Sequence, residues 1–172
     1  MGTAELEFDN EFWRFSLVVY AAPGVADECL ALQETFGIDV NLLLFCAWLG
    51  AARRVVLTQS DVERADAAVR NCHESVVHPL RGVRQTLKSI CGDCDGFRLK
   101  VKAIELEAEQ MEQAMLYTHA REHWSQTCLT DAGESVPANV RAFMLYATRG
   151  RASPSTGVVP GKLTEVAIGL NR

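Results

Sequence analysis

No stretch of this chain approaches the roughly 20 consecutive apolar residues that a membrane-crossing helix needs. There is no basic segment followed by an apolar one at the start, so no secretory signal is expected. A Gly-rich phosphate loop is missing, as is a Gly-x-Ser-x-Gly elbow, and no pair of carboxylates sits in a recognisable cleft pattern. Sustained strand alternation is absent too, which removes sandwich and α/β architectures from consideration. Excess positive charge is lacking: the net charge of −5 argues against bulk nucleic-acid binding. Six cysteines in a chain of 172 residues without a leader read as reduced thiols, several of them core filler, and place the protein in the cytoplasm.

What is present is helical periodicity. The most informative stretch is Asp39 to Gly50, which after Asp39 is apolar on every side except for the amide of Asn41. A helix that is apolar all round must be enclosed all round, so this segment marks the centre of the fold. Asp39 is its N-cap, Ile38 and Leu43 occupy hydrophobic-staple positions, and Gly50 to Arg54 closes it. Two helices precede it. Asn10 caps the first, which carries Phe12, Trp13, Phe15, Leu17, Val18 and Tyr20. Pro23 opens the second and Gly37 stops it.

From Ser60 or Asp61 onward the apolar residues step by three and four through Val62, Ala65, Val69, Cys72, Val76, Leu80, Val83, Leu87 and Ile90. Pro79 predicts a kink or break near His78. A turn-rich segment, Cys91 to Gly96, leads to a second seam through Phe97, Val101, Ile104, Ala108, Met111 and Met115. Two seams joined by a short turn predict an antiparallel helical hairpin over about 61–124 with arms of roughly 40 Å. Thr130 to Pro137 reads as a loop, Pro137 as the start of a short helix, and residues 150–172 as a mobile tail containing at most a marginal helix at 162–170. The expected whole is one all-α domain over 1–149, a helical bundle in which the hairpin packs on shorter N-terminal helices.

Candidate chemistry is sparse. Cys91-x-x-Cys94 has metal or redox spacing but lies between helices and lacks a second ligand pair. His119 and His123 share a helical face at a spacing that can hold a metal, without the zinc-protease glutamate after the first histidine. Cys72, His73 and Glu74 resemble parts of a thiol site, yet Cys72 falls on the apolar seam and its neighbours point elsewhere. No catalytic residue, cofactor or metal ligand set is assigned. Charge is uneven: residues 81–102 carry six basic against two acidic residues, a surplus of +4, and residues 1–50 carry eight acids against Arg14, an excess of −7. This suits solvated helix faces, an anionic partner at the hairpin tip, or head-to-body self-association. Arg14 and Asn41 stand among the most apolar segments. With Trp13, Tyr20, Phe45 and Trp48 around them, they are candidate contacts of a pocket or a partner groove.

Asn10-Glu-Phe-Trp-Arg-Phe-Ser-Leu17, Tyr20-Ala-Ala-Pro-Gly-Val25, the Asp39–Gly50 segment and Val76-Val-His-Pro-Leu-Arg81 together resemble a small proteobacterial family of uncharacterised helical proteins. The resemblance implies a compact helical cytoplasmic protein and transfers no activity or cofactor. It singles out Arg14, Asn41, Arg81 and Arg84. The functional expectation is a non-enzymatic binding or adaptor protein acting through an apolar groove or a basic tip, with candidate contacts Arg14, Asn41, Trp48, Arg81 and Arg84. The alternatives are a bundle that holds a small apolar ligand or cofactor, and a metal-dependent enzyme using His119 and His123.

Overall fold

The computed structural model describes residues 5–90, 95–149 and 160–170, and among these it is all-α with no strand. Cys91 and Cys94 lie outside the described residues. The helices are α1 (Glu11–Ala21), α2 (Val25–Phe36), α3 (Val40–Trp48), α4 (Gln59–Cys72), α5 (His78–Ile90), α6 (Asp95–His123), α7 (Ala132–Ala147) and α8 (Gly161–Gly169). No single described helix is long and apolar enough to cross a membrane.

Local chemistry sets the first three helices. The Asn10 side chain accepts from the Trp13 N–H at 2.8 Å and starts α1. Gly24 and Gly37 both have φ in the left-handed region, +80° and +62°, and bracket α2. The Asp39 carboxylate accepts from the Asn41 and Leu42 N–H groups at the start of α3. All eight residues from Asn41 to Trp48 are buried. They are enclosed by α1, α4, α6, α7 and α8, as an all-apolar helix requires. Phe12, Phe45 and Trp48 form the aromatic centre, with Phe12 edge-on to Phe45 at 5.5 Å. Each such fully buried ring contributes roughly 1.5–3 kcal/mol.

The helical run closes within the expected Gly50–Arg54 stretch, though not at Gly50 itself. The chain widens into a π-turn over Leu49–Arg53 and stops only at Arg54, the one non-glycine residue among those described with positive φ, at +56°. Gly50 serves a different purpose. A Cβ there would stand 2.8 Å from Val136 Cα and 2.9 Å from Val136 N, so its absence lets α7 lie directly against the π-turn. Ser135 Oγ donates to the Gly50 carbonyl at 2.8 Å, and Asn139 donates to the Cys46 and Val55 carbonyls and accepts from the Leu57 N–H. These contacts, with the Asp131 cap, begin α7 five residues before Pro137, where the sequence suggested a loop.

The predicted break before Pro79 is a second π-turn, His73–Val77, in which the His78 N–H bonds to the His73 carbonyl. Pro79 has no N–H to offer the ordinary i−4 bond, and the wider turn absorbs that defect. It also moves the buried position from the expected Val76 to Val77. Beyond it the hairpin is an arm rather than a core element: α5 has no buried residue. Val83 and Ile90 are exposed, and across from them Phe97, Leu99, Ile104 and Leu106 of α6 are exposed as well. The predicted α6 seam is therefore wrong at Phe97 and Ile104. The buried line is Val101, Glu105, Ala108, Glu112, Leu116 and Ala120.

The tail expected from residue 150 onward is not what residues 160–170 form. Helix α8 buries Leu163 and Ala167 completely in the main core. Its first N–H groups are capped from α2: the Lys162 and Leu163 amides donate to the Glu28 carboxylate at 3.3 and 2.9 Å. Substituting Gly50 by Ala should force α7 off the π-turn and destabilise the protein by about 1–3 kcal/mol. Gly82→Ala, at a helical site on α5 with nothing within 4 Å of the added Cβ, should stabilise it by about 0.5–1 kcal/mol. Urea unfolding midpoints of the two variants measure both, and a neutral Gly50→Ala would remove the close-approach account.

Candidate functional site

Three helical elements meet at the N-terminus of α3. Asn41 sits there with both polar atoms of its side chain bonded: Nδ2 donates to Glu112 Oε2 at 2.7 Å, and Oδ1 accepts from Gln113 Nε2 at 2.8 Å. Glu112 is completely buried, and its other oxygen lies 3.0 Å from His73 Nδ1. The same imidazole nitrogen is 3.4 Å from Asp39 Oδ2. His73 reaches this position from the end of α4, whose helical dihedrals it continues (φ −58°, ψ −54°).

Burial pushes the Asp39 carboxyl up, to about 8, and the neighbouring Glu112 charge adds to the rise. Burial alone would lower the His73 value. The hydrogen bond to Glu112 and the charges of Asp39 and Glu112 outweigh it and raise His73 to about 9.

In front of this cluster, between α1, α2, the start of α3 and the α5–α6 arm, lies a half-open cleft of about 510 Å³. Its apolar walls come from Trp13, Leu17, Leu30, Val40, Leu44 and Leu106. Its polar side comes from Arg81, Arg84, Glu105 and Glu109 with the amides of Gln33, Asn41 and Gln113. Arg81 bonds Glu105 at 3.2 Å, Glu109 at 2.6 Å and Gln33 at 2.7 Å. Arg84 takes both oxygens of Glu105. These ion pairs raise both arginines above their usual values, while burial raises Glu109 above the usual carboxylate range. Two buried polar atoms among the lining residues, Ser16 Oγ and Gln113 Oε1, have no hydrogen-bond partner.

The sequence candidates thus separate. Asn41, Arg81 and Arg84 come together at the cleft. Trp48 does not: it is enclosed by Phe12, Phe45 and Tyr117, with the Arg53 guanidinium 5.5 Å from its ring centre. Arg14 is exposed on the outer face of α1, bonded to Asp9. The basic surplus of the tip is also smaller than composition suggested. Its two inner arginines are neutralised by Glu105 and Glu109, which fall just beyond residue 102. Gln113, Glu112 and His73 were not singled out as site residues. The signal that could have found the acids is the seven-residue spacing of Glu105 and Glu112 in phase with Val101, Ala108 and Leu116.

His119 and His123 stack at 4.2 Å between ring centres, and with Glu122 they form a cluster at the far end of α6. Burial lowers the His119 value, and its Nε2 is buried without a partner.

The fold and these sites belong to an all-helical class for which no activity is defined. Residues 11–116 match the family described as Protein of unknown function (DUF2390), and the chain belongs to that family. No curated protein and no solved structure matches the chain. The matched segment contains every residue of the cleft and all of Asp39, Asn41, His73, Glu112 and Gln113, whereas His119, His123, α7 and α8 lie beyond it.

The raised values of Asp39 and His73 carry a sign. Both groups hold protons more tightly when folded, so the stability they contribute is full at low pH and is lost as pH rises. For Asp39 the loss runs from the unfolded carboxylate range up to about 8, and for His73 from 6.5 to about 9. In chelator-containing buffer, the urea midpoint should fall steadily between about pH 5 and pH 9. A midpoint that is flat or rises over that range would contradict the assignment.

Proposed function

We propose that this protein is a non-enzymatic binding module whose cleft receives an amphipathic helical segment of a partner protein. The observation that carries this reading is the character of the cleft: apolar walls that stay open to solvent around a base with unpaired polar atoms. Leu17, Leu30 and Leu106 line it and are still 43–48% exposed. Contiguous exposed apolar surface rimmed by charge is what interaction sites present. The apolar strip also continues past the cleft, since Leu99 lies two helical turns before Leu106 on α6 and is exposed. An elongated strip suits a helix laid in a groove better than a compact molecule. Gln113 Oε1 calls for an N–H or O–H donor from the occupant. Lys102, which has no ion pair among the described residues, favours a partner carboxylate at the rim.

Binding rather than catalysis is supported by the pairing within the cleft, whose arginines and glutamates are engaged with one another. A cytoplasmic setting is supported by Cys29, Cys46, Cys72 and Cys128, which are free thiols. A second reading, a small amphipathic ligand, draws support from a volume within the range of ligand pockets, about 300–1,000 Å³.

Photo-crosslinking residues placed at Leu17, Leu30 and Leu106 of the full chain test the first reading in cells. All three should capture one and the same protein segment, while the equally exposed Leu145 on α7 should not. Capture no stronger than at Leu145 counts against it. A defined small molecule retained in native mass spectra of the purified protein would replace it with the second reading.

A further inference from the structure

We infer that Asp39, His73 and Glu112 form a site for one divalent transition-metal ion, of the Zn²⁺ or Mn²⁺ kind, behind the cleft. Three separate elements supply the donors: the cap of α3, the π-turn and the middle of α6. Their ligand atoms all lie within 4.8 Å of one another. The imidazole Nδ1 is 3.0 Å from Glu112 Oε1 and 3.4 Å from Asp39 Oδ2. Tetrahedral bonds of about 2.0–2.1 Å place neighbouring ligand atoms about 3.3 Å apart, close to both of these separations.

The second observation is how the carboxylates are held. Asp39 uses Oδ1 to cap α3 and leaves Oδ2 buried with no hydrogen-bond partner. Glu112 uses Oε2 to accept from Asn41 and turns Oε1 to the imidazole. Each carboxylate therefore has one oxygen fixed by the fold and the other directed to a shared point, as orienting partners behind metal ligands do. One imidazole with two carboxylates and no thiolate matches Zn²⁺ or Mn²⁺, whereas Ca²⁺ and Mg²⁺ require larger all-oxygen shells. Three protein ligands leave a fourth position. A cavity of about 230 Å³, lined by Gly37, Asp39, His73 and Tyr146 among others, adjoins the cluster and has room for water there.

The site is distinct from the cleft but touches it through Asn41, which bonds Glu112 on one side and lines the cleft on the other. It does not rest on the partner-binding reading above.

The test uses the full chain, stripped by chelator and dialysed, then titrated with Zn²⁺ alone and with Mn²⁺ alone. Native mass spectrometry and calorimetry should show one ion per chain, and the melting temperature should rise with bound metal. His73→Gln should weaken binding by at least about tenfold, while the double variant His119→Ala/His123→Ala should leave it intact. X-ray absorption of the wild-type zinc complex needs no variant and should show one imidazole with oxygen ligands. Absence of stoichiometric binding by both ions overturns the inference. So does a two-imidazole zinc shell, or binding that survives His73→Gln and is lost in the double variant, because these assign the metal to the histidine pair at the end of α6.

Discussion

Glu112 has no contact with solvent, and a carboxylate in that position is tolerated only if its oxygens are satisfied. Much of the fold follows from that demand. One oxygen needs a donor, and Asn41 supplies it from the first turn of α3. The other needs a donor or a cation, and His73, at the end of α4, brings an imidazole within reach. Asn41 in turn needs a donor for its own oxygen and takes it from Gln113, the residue next to Glu112. Helices α3 and α6 are thus locked in register by a reciprocal pair of side-chain bonds in a setting of low polarity, where each such bond counts for more than at the surface. The apolar bulk of α3 provides most of the stabilisation. The polar pairs at its entrance select one alignment of α3 against α6.

Both π-turns follow one logic. A single extra residue in a helical turn redirects everything beyond it, at the cost of one strained turn. At Leu49–Arg53 the redirection brings a glycine under α7 and leaves carbonyls that Asn139 collects. At His73–Val77 it shifts the buried position to Val77 and prepares the ladder for Pro79. Neither is a defect of packing. Each occurs where a helix must change the face it presents, and each is held by side chains far away in sequence.

This explains what could be read from the chain before its structure was in hand. The central helix, its Asp39 cap, the Asn10 cap, the Gly37 stop and the interruption before Pro79 are local effects, and local chemistry identified them. The line of α6 that faces inward was misread because two of its positions are glutamates, and a search for apolar seams passes over a buried acid. The charge of the tip was overestimated because the acids that balance Arg81 and Arg84 come from the opposite arm. Helix α8, expected as marginal at most, was underestimated for a related reason: its cap is Glu28, 134 and 135 residues before the amides it binds, and its burial depends on α1, α2 and α7. Of the site, Asn41, Arg81 and Arg84 were legible as polar residues set in apolar surroundings. His73 was not, because the acids it meets, Asp39 and Glu112, come from elements distant in sequence.

Asn41 combines a part in the α3 cap with a side-chain bridge between α3 and α6. Its N–H completes the Asp39 cap, and its amide donates to Glu112 and accepts from Gln113. Displacing either side-chain bond would leave a buried carboxylate or amide without its partner, a cost of roughly 1–3 kcal/mol. The atom in that chain with capacity to spare is Gln113 Oε1. Asn41 is therefore a strut between the buried cluster and the cleft. Glu112 and Gln113, adjacent in sequence, thus serve opposite sides of the same amide: one faces the imidazole and the other the cleft. Whatever occupies the cleft acts against an amide whose far side is tied to Glu112, so the position of α6 relative to α3 is common to both.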